Sequence, residues 1–169
     1  MLTFQGSNDI NIFVHFTKNV FTKGELMKKL NFLLLGSSIF IFSCSGTMPD
    51  NLGVKEGKFA SCPNKSNCVS SQEKKQKYYI DPLSWKGSSE KSLSAIKMII
   101  KNMPRTKIIK EDNHYLHVEF KSALMGFVDD VEFFADEKNQ VVHVRSASRL
   151  GYSDFGVNRK RIDFIRSKL

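Results

Sequence analysis

No apolar run in this chain is long enough for a helix to cross a membrane, since a span needs about 20 apolar residues. No segment repeats. No cysteine pair has the Cys-x-x-Cys spacing that dithiol redox catalysis prefers. Metal-ligand spacing is missing as well: zinc takes about four ligands, and His114, His117 and His143 lie far along the chain from Cys62 and Cys68. Acidic residues run short, 17 against 26 basic, for a formal net charge of +9 over 169 residues. These absences argue against a helical span, a repeat array, a dithiol enzyme and a zinc site. No cofactor and no metal is implied.

What is present at the N-terminal side reads as an address. Lys28 and Lys29 precede an apolar stretch, Leu30 to Phe42, broken only by Asn31, Gly36, Ser37 and Ser38. Residues 27–43 therefore read as a secretory signal peptide. Ile41-Phe42-Ser43-Cys44 resembles a bacterial lipobox, with a branched residue three before the cysteine and a small one just before it. In proteins with that motif the cysteine thiol is diacylated, the peptide is cut before it, and the new amino group is often acylated too. Two or three chains of the palmitate kind anchor firmly where one anchors marginally. An uncleaved anchor or an ordinary cleaved signal is the plainer alternative. Residues 1–26 carry Asp9 and Glu25 ahead of any signal-like charge. Lys23-Gly24-Glu25 can be encoded as a ribosome-binding run just before Met27, so Met1 reads as a mis-chosen start. The expected address is the bacterial cell envelope, lipid-anchored and facing the periplasm or exterior.

Four basic and two acidic residues precede Cys44, which leaves 22 against 15, or +7, in the mature part. An exported basic domain suits anionic partners such as phospholipid headgroups or anionic polysaccharide. Export argues against nucleic acid. A merely solvated basic surface explains the charge equally well. With Cys44 assigned to lipid, Cys62 and Cys68 remain as a pair around "SCPNKSNC", whose Pro63, Asn64 and Asn67 favour a turn. A structural disulfide is expected there in an oxidising compartment, worth about 2 kcal/mol in the chain-entropy estimate.

Residues 44–58 are polar and without periodicity, so they read as a flexible tether. Residues 59–169 read as a single α+β domain: an antiparallel sheet of four to five strands packed with two helices. Cys62 to Gln76 is loop-like, and Tyr78–Ile80 reads as a short strand. Ser88 or Ser89 caps a helix carrying Leu93, Ile96, Ile100 and Met103, which Pro104 ends. Period-two strands then follow over 106–111, 114–121, 128–135 and 141–148. Asp154 caps a last helix, with Ile162, Ile165 and Leu169 on one face. If Ala135 pairs with Gln140, Phe133 faces Val142 and Val131 faces Val144. Glu132 then opposes His143 and Asp130 opposes Arg145 on the other face.

Three groups of residues invite chemistry. Asp130 or Glu132 beside His143 offers a carboxylate–histidine pair for general acid–base work, the basis of a hydrolase reading. Against it stands a solvent-facing set of cross-strand ion pairs, with Glu119, Arg145 and His117. Residues 145–169 hold seven basic residues against Asp154 and Asp163. Arg145, Arg149, Tyr152, Asn158 and Arg159 are the candidate ligand-binding set, because arginine forks suit phosphate and carboxylate. Cations near a helix N-terminus oppose its dipole unless an anion answers them; internal salt links are the competing explanation. Leu124, Met125 and Phe127 in "KSALMGFVDD" cap the core, line an apolar pocket or touch a membrane.

"CPNKSNCVSSQ", "PRTKII", "YLHVEF", "GFVDDVEFF" and "VHVRSASRLGYSDFGVNRKRIDFIR" together resemble domain-of-unknown-function family 1499 over most of Phe59–Leu169. Members are commonly exported proteins or lipoproteins of bacteria, with relatives in photosynthetic organisms. The resemblance implies that Asp129, Asp130, Arg145, Ser146, Ser148, Arg149, Gly151, Tyr152, Asp154, Asn158 and Arg159 belong to the family signature. It brings no reaction and no ligand. The expected function is a non-catalytic envelope domain that binds an anionic or amphipathic ligand, with a hydrolase or a structural adaptor as alternatives.

Overall fold

Alternating apolar and polar residues build the strands, and the three- and four-residue spacing builds the helices. The structure, a computed structural model, describes residues 45–169. The expectations for residues 1–44, lipidation of Cys44 among them, fall outside the described residues. Strands β1 (Cys68–Ser70), β2 (Leu83–Ser84), β3 (Thr106–Glu111), β4 (Tyr115–Lys121), β5 (Val128–Asp136) and β6 (Val141–Ser148) form one antiparallel sheet. Its order is β1-β6-β5-β4-β3, with β2 also paired to β6. Helices α1 (Ser89–Lys101) and α2 (Val157–Lys168) cover one face. The expected α+β domain is what forms.

Leu116, Val118, Val131, Phe133, Val142 and Val144 point to the helix side and meet Leu93, Ile96 and Ile100 of α1 and Ile162 and Ile165 of α2. Burying each such side chain stabilises the fold by about 1.5–3 kcal/mol. Ser88 caps α1 by accepting from the Lys91 N–H at 3.2 Å. Asp154 serves α2 from outside: its carboxylate accepts from Gly156 N at 3.0 Å and Asn158 N at 2.8 Å.

Three local expectations change. The β5–β6 hairpin closes one residue later, with Asp136 opposite Val141, so Phe133 faces Val144 and Glu132 faces Arg145. The Asp136 side chain explains this shift, because it accepts from both the backbone and side-chain nitrogens of Asn139 and Gln140 then turns at φ 52°. Pairing slips by two residues, so every side chain keeps its face. Cys68–Ser70, read as loop, is a strand held by Ala147, Ser146 and Arg145. Tyr78–Ile80 instead contributes a single bridge, Tyr79 to Ser70.

The stretch read as a tether also packs onto the sheet. Residues 45–63 cross the face opposite the helices as a strap. Gly53 N donates to Glu132 at 2.6 Å, and Cys62 N donates to Glu73 at 2.6 Å. Buried Phe59 meets the Phe134 ring edge-on, with centroids 6.4 Å apart. Unpatterned sequence gives no hint of this, since the strap is fixed by backbone donors. Cys62 and Cys68 form the expected disulfide.

Candidate functional site

Period two places Tyr115, His117 and Glu119 of β4, Asp130 and Glu132 of β5, and His143 and Arg145 of β6 on the strap side. Sequence reasoning expected this face to be wet. Glu132, Asp130, His117 and Arg145 are instead all buried. Burying a charge is costly unless it is paired and fully hydrogen-bonded, and here almost every charge is. Glu132 accepts from Arg145 Nη1 at 3.0 Å, from the Tyr115 hydroxyl at 2.8 Å and from Gly53 N. Burial and the neighbouring Glu132 charge push the Tyr115 hydroxyl far up, so it keeps its proton and donates.

One strand step away, Asp130 accepts from His117 Nε2 at 2.8 Å and from Arg149 Nε and Nη2, each at 2.8 Å. Arg149 also reaches Glu119. Burial raises the Asp130 carboxyl, but the hydrogen bonds and charges of Arg149 and His117 outweigh it and hold the group below the ordinary carboxylate value.

Beneath the strap, beside these pairs, lies a cavity of about 390 Å³, inside the range of about 300–1,000 Å³ typical of small-molecule sites. Asp130, Arg145 and Arg149 form its floor; Lys65, Asn67 and Pro49 stand among its walls. Arg145 Nε and Asn67 Oδ1 are buried without a hydrogen-bond partner among the described residues. Buried polar groups are nearly always satisfied, so two lining residues that each carry an orphan mark this cavity out. A larger cavity, about 720 Å³, lies at the other end of the strap near Phe59 and His143. The half-buried Gln72 and Glu73 in its lining are already partnered. Gln72 bonds Phe59 N and Gly57 O, and Glu73 bonds Cys62 N.

The structure divides the residues singled out from sequence. Arg145 and Arg149 meet at the smaller cavity. Asn158 lies on the helix side, fully buried, bonding Ser146, Ser148 and the Asn67 carbonyl. Arg159 donates to the carbonyls of Lys77 and Tyr79, and Tyr152 is exposed at 68% on a loop. Arg161 pairs with Asp129 and lies over the Phe120 ring. Internal partners therefore answer Arg159 and Arg161 at the start of α2, and no anion is required there. Arg149 likewise serves as a salt link.

The hydrolase grouping does not assemble. Glu132 is taken by Arg145, and the histidine bonded to Asp130 is His117. His143 stacks on Phe134, approaches Asp136 at 3.5 Å and bonds the Ser71 hydroxyl at 3.1 Å. The Ser71 hydroxyl also accepts from Val144 N at 2.9 Å, which makes it an edge pairing of β6. Among the described residues, no cluster of three or more histidine, cysteine, aspartate or glutamate side chains could hold a metal ion. Sequence reasoning missed Asn67, Tyr115 and the strap. Only the hydroxyl of Tyr115, set on the charged face by its period, could have been found in advance.

Compared with curated proteins, the chain matches none. Residues 58–169 match the model of a family described as protein of unknown function (DUF1499), and that span takes in the whole sheet, both helices and the cavity floor. The chain belongs to the DUF1499 family.

Proposed function

We propose that this protein is a non-catalytic envelope lipoprotein whose domain holds a small polar ligand bearing an anionic group in the cavity beneath the strap. One observation carries the reading: Arg145 and Asn67 line the same cavity, and each carries a buried polar atom, Arg145 Nε and Asn67 Oδ1, with no partner among the described residues. With a small turn of each side chain toward the cavity, an acceptor such as a carboxylate or phosphate oxygen would complete Arg145, and a hydroxyl or amine beside it would complete Asn67. Lys65 adds an exposed cation at the rim. The envelope address and the lipid on Cys44 rest on the signal-like stretch 27–44 of the sequence.

The test is native mass spectrometry of the mature protein, purified gently from the envelope that makes it. A stoichiometric small-molecule adduct is expected, and Lys65→Glu should lose it while melting at the parent temperature. A bare protein from fresh envelope would sink the reading.

A further inference from the structure

The two ends of the sheet differ in polarity. At one end lie the β3–β4 turn, Asp112-Asn113-His114, and the β5–β6 turn, Glu137-Lys138-Asn139-Gln140, all polar. The other end gathers the β4–β5 connection and the segment after β6, tied together by Arg149 N donating to Val128 O at 3.0 Å. Here Leu124 is 88% exposed and Phe155 89% exposed, with Met125, Leu150 and Tyr152 also exposed. Phe155 sits at φ 53°, a left-handed conformation that strains a bulky residue, and it is not repaid by packing. Such strain concentrates where a partner is met. Exposed basic residues surround the patch: Lys121, Arg105, whose carbonyl accepts from Lys121 N, and Lys65, next to the Ser66–Ser153 bridge. Of the nearby acids, Asp129 and Glu119 are paired with arginines and Asp154 caps α2; Asp50 on the strap is exposed.

The chain also enters at this end. A Cβ built on Gly46 would come within 3.0 Å of Arg149 Cβ and Leu150 Cγ, so the residue two beyond Cys44 is seated against the patch. We propose that this end of the sheet, Leu124, Met125, Leu150, Tyr152 and Phe155 ringed by Lys65, Arg105 and Lys121, docks onto an anionic bilayer surface. The proposal rests on the lipid-anchor reading, because a lipid on Cys44 would put that surface beside the patch. Apolar and aromatic side chains enter the headgroup boundary while the basic ring meets anionic headgroups. The strands then stand upright on the membrane. The nine residues of β5 hold the polar turns about 30 Å above it.

The test uses the full mature protein in phosphatidylglycerol-rich vesicles carrying brominated acyl chains, with tryptophan reporters read over the Trp85 background. Leu124→Trp and Phe155→Trp should shift blue and lose most of their emission, whereas Lys138→Trp should match its emission in bromine-free vesicles. Absence of quenching at 124 and 155, or equal quenching at 138, would overturn the docking face and point to a protein partner there. Mass measurement of the same sample separates the two readings. An unacylated Cys44 with quenching intact defeats the anchor and leaves the docking face standing; an acylated Cys44 without quenching does the reverse.

Discussion

Replacing Arg149 with alanine distinguishes a structural arginine from a free ligand contact. Its guanidinium, 7% exposed, gives two hydrogen bonds to Asp130, 1% exposed, and a third to Glu119. Removing it leaves Asp130 buried with only His117, and breaking a buried pair in this way costs about 3–5 kcal/mol. A domain of roughly 125 residues has an unfolding entropy near 0.26 kcal/mol/K, so the melting temperature should fall by about 12–19 °C. Circular dichroism of the protein at neutral pH reads this directly. The pH dependence gives a second readout. In the parent, Asp130 is held low, so its contribution is present above about pH 3.9 and is lost as pH falls through its folded pKa. In Arg149→Ala burial dominates and the carboxyl rises. The variant then regains stability by protonation, and the gap to the parent narrows toward acid. A loss under about 3 °C would refute the reasoning, since a pair worth that little behaves like a surface ion pair.

Two further outcomes follow from the same geometry. Cys62→Ser with Cys68→Ser opens a short loop and should cost about 2 kcal/mol, about 8 °C by thermal melt under oxidising conditions; an unchanged melt would show that the strap holds the loop without it. Burial lowers the His143 pKa more than the Asp136 carboxylate raises it, so the folded state favours the neutral ring. Stability from this group is full above about pH 6.5 and declines as pH falls through it, and urea titrations should show that slope flattened in His143→Gln.

The strands, both helices and the two faces of the sheet are legible in the sequence, because period and capping are local properties. Leu93, Ile96 and Ile100 announce one face of α1, and Asp154 announces the start of α2. The charges of the second face are legible as a set: Glu119, Asp130, Glu132 and Arg145. Their burial is not legible, because it depends on residues 45–63, which carry no pattern and attach through the Gly53 N–H and the Phe59 ring. The two-residue slip in the β5–β6 hairpin hides the Glu132–Arg145 pair in the same way, since either register satisfies the apolar face. Arg149 shows a further limit. Its charge suggests a ligand, and only the fold reveals two carboxylates already waiting for it.

The Cys62–Cys68 bridge has a consequence for the cavity. The short loop it closes contributes Pro63, Lys65 and Asn67 to the cavity wall. A chain still in a reducing compartment would carry the arginine floor but lack this covalently fastened side. On the ligand-binding reading, the bridge spares the ligand part of the cost of ordering that wall, so oxidation would tighten capture and reduction would loosen it.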